Sequence, residues 1–338
     1  MINIEEKEGI TLGSFNSALD KGIPGIKRDD IKEVSVQHGG LFNSILKVET
    51  FKETFYYKQY LNDVENLTYN LPDIDASERA ELAIKVQLIS GQCNYNEPHN
   101  PVPEIVYVDH ESNAFLMEEA NTSQPLIEVL EQGGLSDVQL TKVSSFLAYF
   151  HKTTYNIYSD EESLSNVEFR DFKLSLQYDD IAELLTEKEA SVVLKCKEKH
   201  QKTQQCVLHG DINSRNILVG KKGVSVIDFE QSHLGSPSYD VAYILSEIFI
   251  SFYVHNKNSL KEKIDLFVST YASIFKDVNQ MSYEKDIAVH LAIQIIYRFL
   301  GPSAHHWTYY VSDKDKEELL NISKETLLSG SFVFETSN

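Results

Sequence analysis

Cysteine, basic residues and long apolar runs are all scarce in this chain of 338 residues. The three cysteines, Cys93, Cys196 and Cys206, are odd in number, widely spaced and without a CxxC pair, which speaks against a disulfide framework or a zinc site and for a reducing interior. Only 31 Lys and Arg stand against 51 Asp and Glu, a formal charge of −20. That balance argues against nucleic acid as a partner, because binding it takes a basic face that releases counterions. No stretch approaches an apolar membrane span, and the opening MINIEEKEGITLG lacks the basic start and apolar centre of a secretory leader. A cytoplasmic protein with no membrane partner is expected. Repeats of fixed period and low-complexity segments are missing as well. What is present, 42% hydrophobic and 24% charged residues, is the balance of an ordinary globular protein. Its length predicts two lobes with a cleft between them.

The order of periodicities gives the organisation. Residues 31–60 alternate apolar and polar positions, as in SILKVETF and TFYYKQY, and predict antiparallel strands. SERAELAIKVQLIS, residues 77–90, places Ala80, Ile84 and Leu88 at helical spacing, with Ser77 as N-cap. PVPEIVYVDHESNAFLMEEA predicts two more strands around a turn at Asp109–Asn113. Strands, one helix and strands make a small α+β lobe over residues 1–120. From Gln124 onward the pattern turns helical, most clearly where Val138, Leu140, Val143, Phe146, Leu147 and Phe150 trace an apolar face. Residues 121–338 are expected to form a larger, mainly α lobe. Two short apolar strands, CVLHG and VSVIDF, interrupt it and are expected to pair as a hairpin that carries the site. Residues 160–202 are polar, with helices expected at 179–200 and no role that the pattern assigns.

The chemistry is concentrated in VLHGDINSRNILV, residues 207–219, and VSVIDFE, residues 224–230. Phosphoryl transfer to a hydroxyl requires a carboxylate that orients the nucleophile and takes its proton, and oxygen ligands that fix Mg²⁺ on the β- and γ-phosphates. Asp211 is the candidate catalytic carboxylate, and Asn216 and Asp228 are the candidate metal ligands. Asp211 and Asn216 stand five residues apart in a loop, with Asp228 on the next strand, the interval such a site uses. Each residue alone reads as a turn or strand-end polar group; their joint order and spacing carry the argument. Glu230 either holds a water on the metal or satisfies nearby backbone.

A cation must also meet the α- and β-phosphates, and Lys58, inside the alternating segment TFYYKQY, is the candidate. QHGGLFNS lacks GxGxxG, but Gly39 and Gly40 allow backbone to approach a phosphate, and Asn43 and Ser44 offer donors. An everyday hairpin turn is the plain alternative there.

These motifs resemble the aminoglycoside phosphotransferase and choline kinase family of small-molecule kinases. HGDINSRN is similar to its HGDxxxxN loop, VIDFE to its metal strand, and SPSYDVAYIL to its following segment. The resemblance covers roughly residues 31–310 and implies a bilobal protein-kinase-like fold that uses ATP and Mg²⁺. It implies that His209 braces the catalytic loop, that Asp240 buttresses it, and that Glu81 on the first helix, with Glu78 in reserve, positions Lys58. It also implies a hinge near 116–121, where the Glu118 carbonyl and Ala120 amide meet adenine and Met117 lines the pocket. The implied activity is transfer of the γ-phosphoryl group to a hydroxyl of a small molecule: an aminoglycoside-like or other antibiotic, a sugar or an amino alcohol. A methylthioribose or choline/ethanolamine-type metabolic kinase and a non-catalytic nucleotide-binding relative are the alternatives. HRD, DFG and APE signals of protein kinases are missing.

The acceptor is not legible. YRFLGPSAHHWTYY, residues 297–310, holds Arg298, His305 and the sole tryptophan, Trp307, and either lines the acceptor pocket or packs one helix on another. Arg298, inside an apolar helix face, needs a partner. Asp160, Glu161, Glu162, Asp179 and Asp180 either attract an amine or form a solvated face.

Overall fold

The computed structural model describes residues 4–37, 43–62, 72–122, 124–221, 223–276, 280–302, 304 and 308–335. In chain order the elements that build the sheet region are helix α1 (Ile4–Lys21), strands β1 (Ile31–Gln37), β2 (Asn43–Thr50) and β3 (Thr54–Tyr60), helix α2 (Ala76–Gly91), and strands β4 (Ile105–Asp109) and β5 (Ala114–Glu118). The strands form one antiparallel sheet in the order β1-β2-β3-β5-β4. The period of two sorts its faces. Leu46, Val48, Phe55, Tyr57 and Leu116 pack against Phe15 and Ala18 of α1, whereas Tyr60 and Phe115 pack against Ala76, Ala80 and Ala83 of α2. The sequence led us to expect one helix here; the polar start folds as a second, held by the buried side chains of Thr11, Phe15 and Ala18. Asp75, not Ser77, caps α2: its carboxylate accepts from the Ser77 amide at 2.8 Å.

After β5 come β6 (Gln124–Pro125), α3 (Leu126–Glu131), α4 (Asp137–Thr154), α5 (Val167–Leu174), a π-helical turn (Ser175–Asp179), α6 (Asp180–Ala182) and α7 (Glu187–Gln201). Strands β7 (Cys206–Leu208), β8 (Ile217–Gly220), β9 (Gly223–Val226) and β10 (His233–Gly235) follow, then helices α8 (Pro237–Asn256), α9 (Leu260–Ile274), α10 (Gln280–Leu300) and α11 (Asp313–Ser329). Ser136 and Gln139 close a capping box on α4, whose buried face runs from Leu140 to Phe150; Val138, expected on that face, is exposed. Every residue of α8 from Pro237 to Tyr253 is buried, so this helix is the axis around which α4, α9 and α10 pack. Among the described residues, no helix is long and apolar enough to cross a membrane.

The strand pairing differs from expectation. CVLHG and VSVIDF are not partners: β7 pairs β10, and β8 pairs β9 across the tight turn after Gly220. Both small sheets are antiparallel, and residues 209–216 run from the end of one to the start of the other. The α+β class is as expected.

His200 of α7, His233 of β10 and His290 of α10 meet around Tyr239, with ring centroids 5.7 Å apart for His200 and His233 and 5.8 Å for His200 and His290. Burial pushes His233 down to about 4 and His290 down to about 3, and burial with its two histidine neighbours drives His200 well below the usual range. Unfolded, each titrates near 6.5, so below that pH the unfolded chain binds more protons than the folded one. Stability is therefore full above about pH 6.5 and is lost as pH falls, by up to ~1.4 kcal/mol per pH unit for each histidine. Urea denaturation at about pH 7.5 and about pH 5 should show this slope, and His290→Gln should flatten it; equal midpoints at the two pH values would contradict the assignment.

Candidate active site

His209 to Asn216 link β7 to β8, and the loop is fixed through its backbone. Asp240, in the first turn of α8 and fully buried, accepts from the amides of His209 at 2.7 Å and Gly210 at 3.1 Å. Its Oδ2 also lies 3.2 Å from Nε2 of His151. Burial would raise this carboxyl; the hydrogen bond to His151, the neighbouring imidazoles and the His209 amide outweigh it and hold it below its ordinary value. Ser236 occupies the N-cap of α8. Gly210 has φ +77°, and a Cβ there would sit 2.1 Å from the Gln231 carbonyl oxygen, so only glycine fits. His209 accepts the Asp211 amide on Nδ1 at 3.3 Å and donates from Nε2 to the Ile227 carbonyl at 3.0 Å. Burial pushes its imidazole down, in keeping with that neutral tautomer.

This scaffold brings the three motif residues together. Asn216 donates from Nδ2 to the Asp211 carbonyl at 2.9 Å and to its carboxylate at 3.1 Å. The Ile227 amide donates to the Asn216 carbonyl at 3.0 Å, which sets Asp228 beside the loop. Asp228 itself has φ +74°, a left-handed conformation that costs a non-glycine residue roughly 1–3 kcal/mol and recurs where geometry serves function.

Lys58 of β3 reaches across from the sheet. Its register partner is Phe115, so it faces α2 and the cleft, and it is 3% exposed. Its Nζ lies 2.5 Å from Asp228 Oδ1 and 3.7 Å from Glu230 Oε2. Burial alone would lower this ammonium; the charge of Asp228, together with Tyr60 and Glu230, holds it above its usual value. Glu230 is pushed up to about 7 by burial and the charge of Asp228, against the pull of Lys58. Asn43 donates to Glu230 at 3.0 Å, and its own Oδ1 is buried without a protein partner.

Several expected site residues lie elsewhere. Glu81 and Glu78 are exposed on α2, and the carboxylates at Lys58 are Asp228 and Glu230 instead; the α2 side chain turned inward is Arg79, buried 5.8 Å from the Tyr60 ring. Ser44 pairs with Gln59, which donates to Ser14 of α1, so its side chain shares the α1 face and points away from the cleft. Arg298 is 2% exposed and pairs with Glu247 at 2.9 Å, which in turn binds the Ser214 amide at 3.2 Å and the Ser214 hydroxyl. It belongs to the core that braces the loop, not to an acceptor surface. Met117 is half-buried on the cleft face, and Glu118, exposed, and Ala120 follow at the end of β5, where the Glu118 amide is already bound to the Glu104 carbonyl at 2.9 Å. Gly39, Gly40, His305 and Trp307 lie outside the described residues.

Lys173 was missed. From α5 it donates to the Gly210 carbonyl at 2.6 Å and to Asp211 Oδ1 at 2.8 Å. Its signal, a lysine one helical turn from Arg170 in a polar stretch, is common in solvated helices.

Among the described residues, no three His, Cys, Asp or Glu side chains converge to hold a metal on their own. Asn216 and Asp228 could instead offer a pair of hard oxygens, the partial set that suits Mg²⁺ when a substrate and water complete the shell. The Nδ2 of Asn216 is committed to Asp211, which leaves its Oδ1 as the ligand atom. The orphaned Asn43 Oδ1 is a further polar atom in the same corner that a bound polar group would satisfy.

Next to this corner an open cavity of about 680 Å³ runs between α2 and residues 162–168. Glu78, Glu81, Glu162 and Glu168 line it with Arg79 and Asn166, and Asn166 donates to the Ser232 carbonyl at 2.9 Å, just beyond Asp228–Glu230.

Lys58 of the antiparallel sheet, Asp211 and Asn216 of the loop, and Asp228 after β9 thus form one polar cluster. Residues 99–256 match the sequence model of the phosphotransferase enzyme family, a segment that contains Asp211, Asn216, Asp228 and Asp240. No curated protein matches the sequence. Among solved structures, the chain is similar to a choline kinase from Cryptosporidium parvum Iowa II (TM-score 0.53, 16% identity, 94% of this chain and 95% of that one). It is also similar to a putative aminoglycoside phosphotransferase from Ralstonia eutropha JMP134 (0.52, 13%, 94% and 96%). A third is a putative fructosamine-3-kinase from Haemophilus somnus 129PT (0.51, 14%, 95% and 99%). At these identities the likeness is one of fold, and the protein-kinase-like fold is the one expected.

The Arg298–Glu247 pair yields a test of the loop's foundation. Arg298→Met leaves a buried carboxylate without its cation, which should cost about 3–5 kcal/mol in denaturant unfolding. Pairing it with Glu247→Gln should return part of that loss; a single variant within about 0.5 kcal/mol of the parent would contradict the buried pair.

Proposed function

We propose that this chain transfers the γ-phosphoryl group of ATP, with Mg²⁺, to a hydroxyl of a small molecule. One observation carries the reading: Asp211 and Asn216 in contact at 3.1 Å, beside an Asp228 whose carboxylate meets a buried lysine from the opposite sheet. Mg²⁺ bound by Asn216 and Asp228 would neutralise charge on the phosphates. Lys58 supplies the fixed cation for the phosphate chain, with Glu230 and Asn43 holding its surroundings. Adenine would meet the backbone of Glu118 and Ala120 at a hinge between two lobes, near residues 116–121, with Met117 lining its pocket.

Asp211 orients the acceptor hydroxyl and receives its proton, while the new O–P bond forms and ADP leaves with the electrons of the broken bond. Its carboxylate already accepts from Lys173 and Tyr243 on Oδ1 and from Asn213 and Asn216 on Oδ2. An acceptor hydroxyl therefore takes the place of a neutral donor, Asn213 or Tyr243. Exclusion of bulk water falls to the buried walls on either side.

Four glutamates against Arg79 and Lys85 leave the cavity lining net acidic, which supports an acceptor that carries amines, whether an aminoglycoside or an amino alcohol, over a neutral sugar. The named relatives act on choline, aminoglycosides and fructosamine by their descriptions, which suits an amine-bearing acceptor. The strongly acidic chain makes a nucleic-acid acceptor unfavourable.

Turnover of labelled ATP across aminoglycosides, choline, ethanolamine, nucleosides and methylthioribose tests both activity and acceptor. Asp211→Asn should lower turnover by roughly 10²–10⁴-fold while ATP affinity stays within a few-fold. Lost nucleotide affinity with intact turnover would overturn the assignment of Asp211, and a panel on which neutral acceptors outperform amines would overturn that of the cavity.

A further inference from the structure

Helix α5 and the π turn after it present buried polar side chains at helical spacing, Arg170, Lys173 and Gln177, to the interior. Gln177 accepts from the Tyr239 hydroxyl of α8 at 2.8 Å, so this face is docked on the same helix that carries Asp240 and Tyr243. A π turn inside a helix is an uncommon element, frequent at functional sites. Lys173 is what this segment aims at the catalytic loop.

The ammonium of Lys173 is 7% exposed by residue and has two acceptors, the Gly210 carbonyl at 2.6 Å and Asp211 Oδ1 at 2.8 Å. Its third side lies 4.9 Å from the centre of the Tyr243 ring, and the Tyr243 hydroxyl donates to the same Asp211 oxygen at 3.2 Å. Asp211 Oδ2 meanwhile takes Asn213 and Asn216, each at 3.1 Å. Three neutral donors and one cation thus fix the carboxylate plane, and the cation is the only one of the four that arrives from outside the loop and α8. All four hydrogen bonds meet a charged acceptor, but only that of Lys173 adds the attraction of two opposite full charges, so the cation weighs most on the rotamer. The neutral donors are exchangeable with a substrate hydroxyl; a buried lysine is not, because leaving would strand its charge.

We propose that Lys173 is a positioning residue for the transfer step: it locks Asp211 so that the position now held by an exchangeable neutral donor, Asn213 or Tyr243, is the one offered to the acceptor hydroxyl. The inference rests on the phosphoryl-transfer reading for its kinetic consequence, but its structural content stands apart from it. A second consequence concerns the acceptor. Glu168 of α5 lines the cavity and Lys173 lies on the same short helix, so whatever fills the cavity contacts the element that holds Asp211.

The test uses the full chain and the variants Lys173→Met, Lys173→Gln and Lys173→Ala, with Mg²⁺-ATP affinity, ATP turnover and crystal structures as readouts. Turnover should fall at least about 100-fold, as for a misplaced reacting group, with nucleotide affinity within about threefold of the parent. Ethylamine added to Lys173→Ala should restore part of the rate, which a packing role would not allow. In the variant crystals the Asp211 carboxylate should leave Asn216 Nδ2. A carboxylate that stays in place in the variants overturns the proposal whatever the kinetics. So does turnover within threefold of the parent, or a loss of rate that follows a loss of nucleotide binding. If the parent chain turns over no acceptor and does not hydrolyse ATP, the phosphoryl-transfer reading fails instead, and the position of Asp211 in the variants still decides the role of Lys173. Where one variant does not fold, the other two carry the comparison.

Discussion

The carboxylate of Asp240 is the interaction on which the site depends. A buried carboxylate without donors is among the costliest groups a protein can hold, and this one is fully buried. It is tolerated because two consecutive amides of the catalytic loop and the His151 imidazole point at it. The requirement runs both ways: the loop can take no other path without stranding that charge. From the path follow the left-handed Gly210, the docking of His209 on Ile227, and so the closeness of Asp211, Asn216 and Asp228.

A second, independent brace holds the far end of the loop. Ser214 is bound by Glu247, and Glu247 is neutralised by Arg298 from α10. Lys173 approaches from a third direction and meets the carboxylate itself. Four parts of the helical body, α4, α5, α8 and α10, thereby converge on eight residues of chain. Across the cleft the sheet contributes one buried cation, Lys58, whose partners are the two carboxylates after β9. Rigid elements on both sides hold these side chains in place.

The parts of this arrangement that were legible in the sequence are local. Asp211 and Asn216 are close because five residues of loop separate them, and spacing records that directly. The alternation in TFYYKQY placed Lys58 in a strand, and its departure from the apolar pattern marked it. Long-range partners leave no such record. Lys58 pairs with Asp228 and Glu230 and not with a glutamate of α2, because α2 turns Arg79 inward and leaves Glu78 and Glu81 at the cavity wall. Of the two donors expected at the start of β2, only Asn43 meets the cleft, because in a strand the neighbouring residue, Ser44, faces the opposite side. Arg298 announced that it needed a partner, but only packing identifies that partner as Glu247. The polar segment that holds Lys173 had no period to read, since its buried polar face is built from residue types that solvated helices share.

Binding of Mg²⁺ and a non-hydrolysable ATP analogue, observed in a crystal of the full chain, tests the central claim most directly. The account predicts one metal at ordinary oxygen-ligand distance, about 2.1 Å, from both Asn216 Oδ1 and the Asp228 carboxylate, with the Lys58 ammonium moved onto the phosphates. A nucleotide bound elsewhere, or a metal that touches neither side chain, would contradict it.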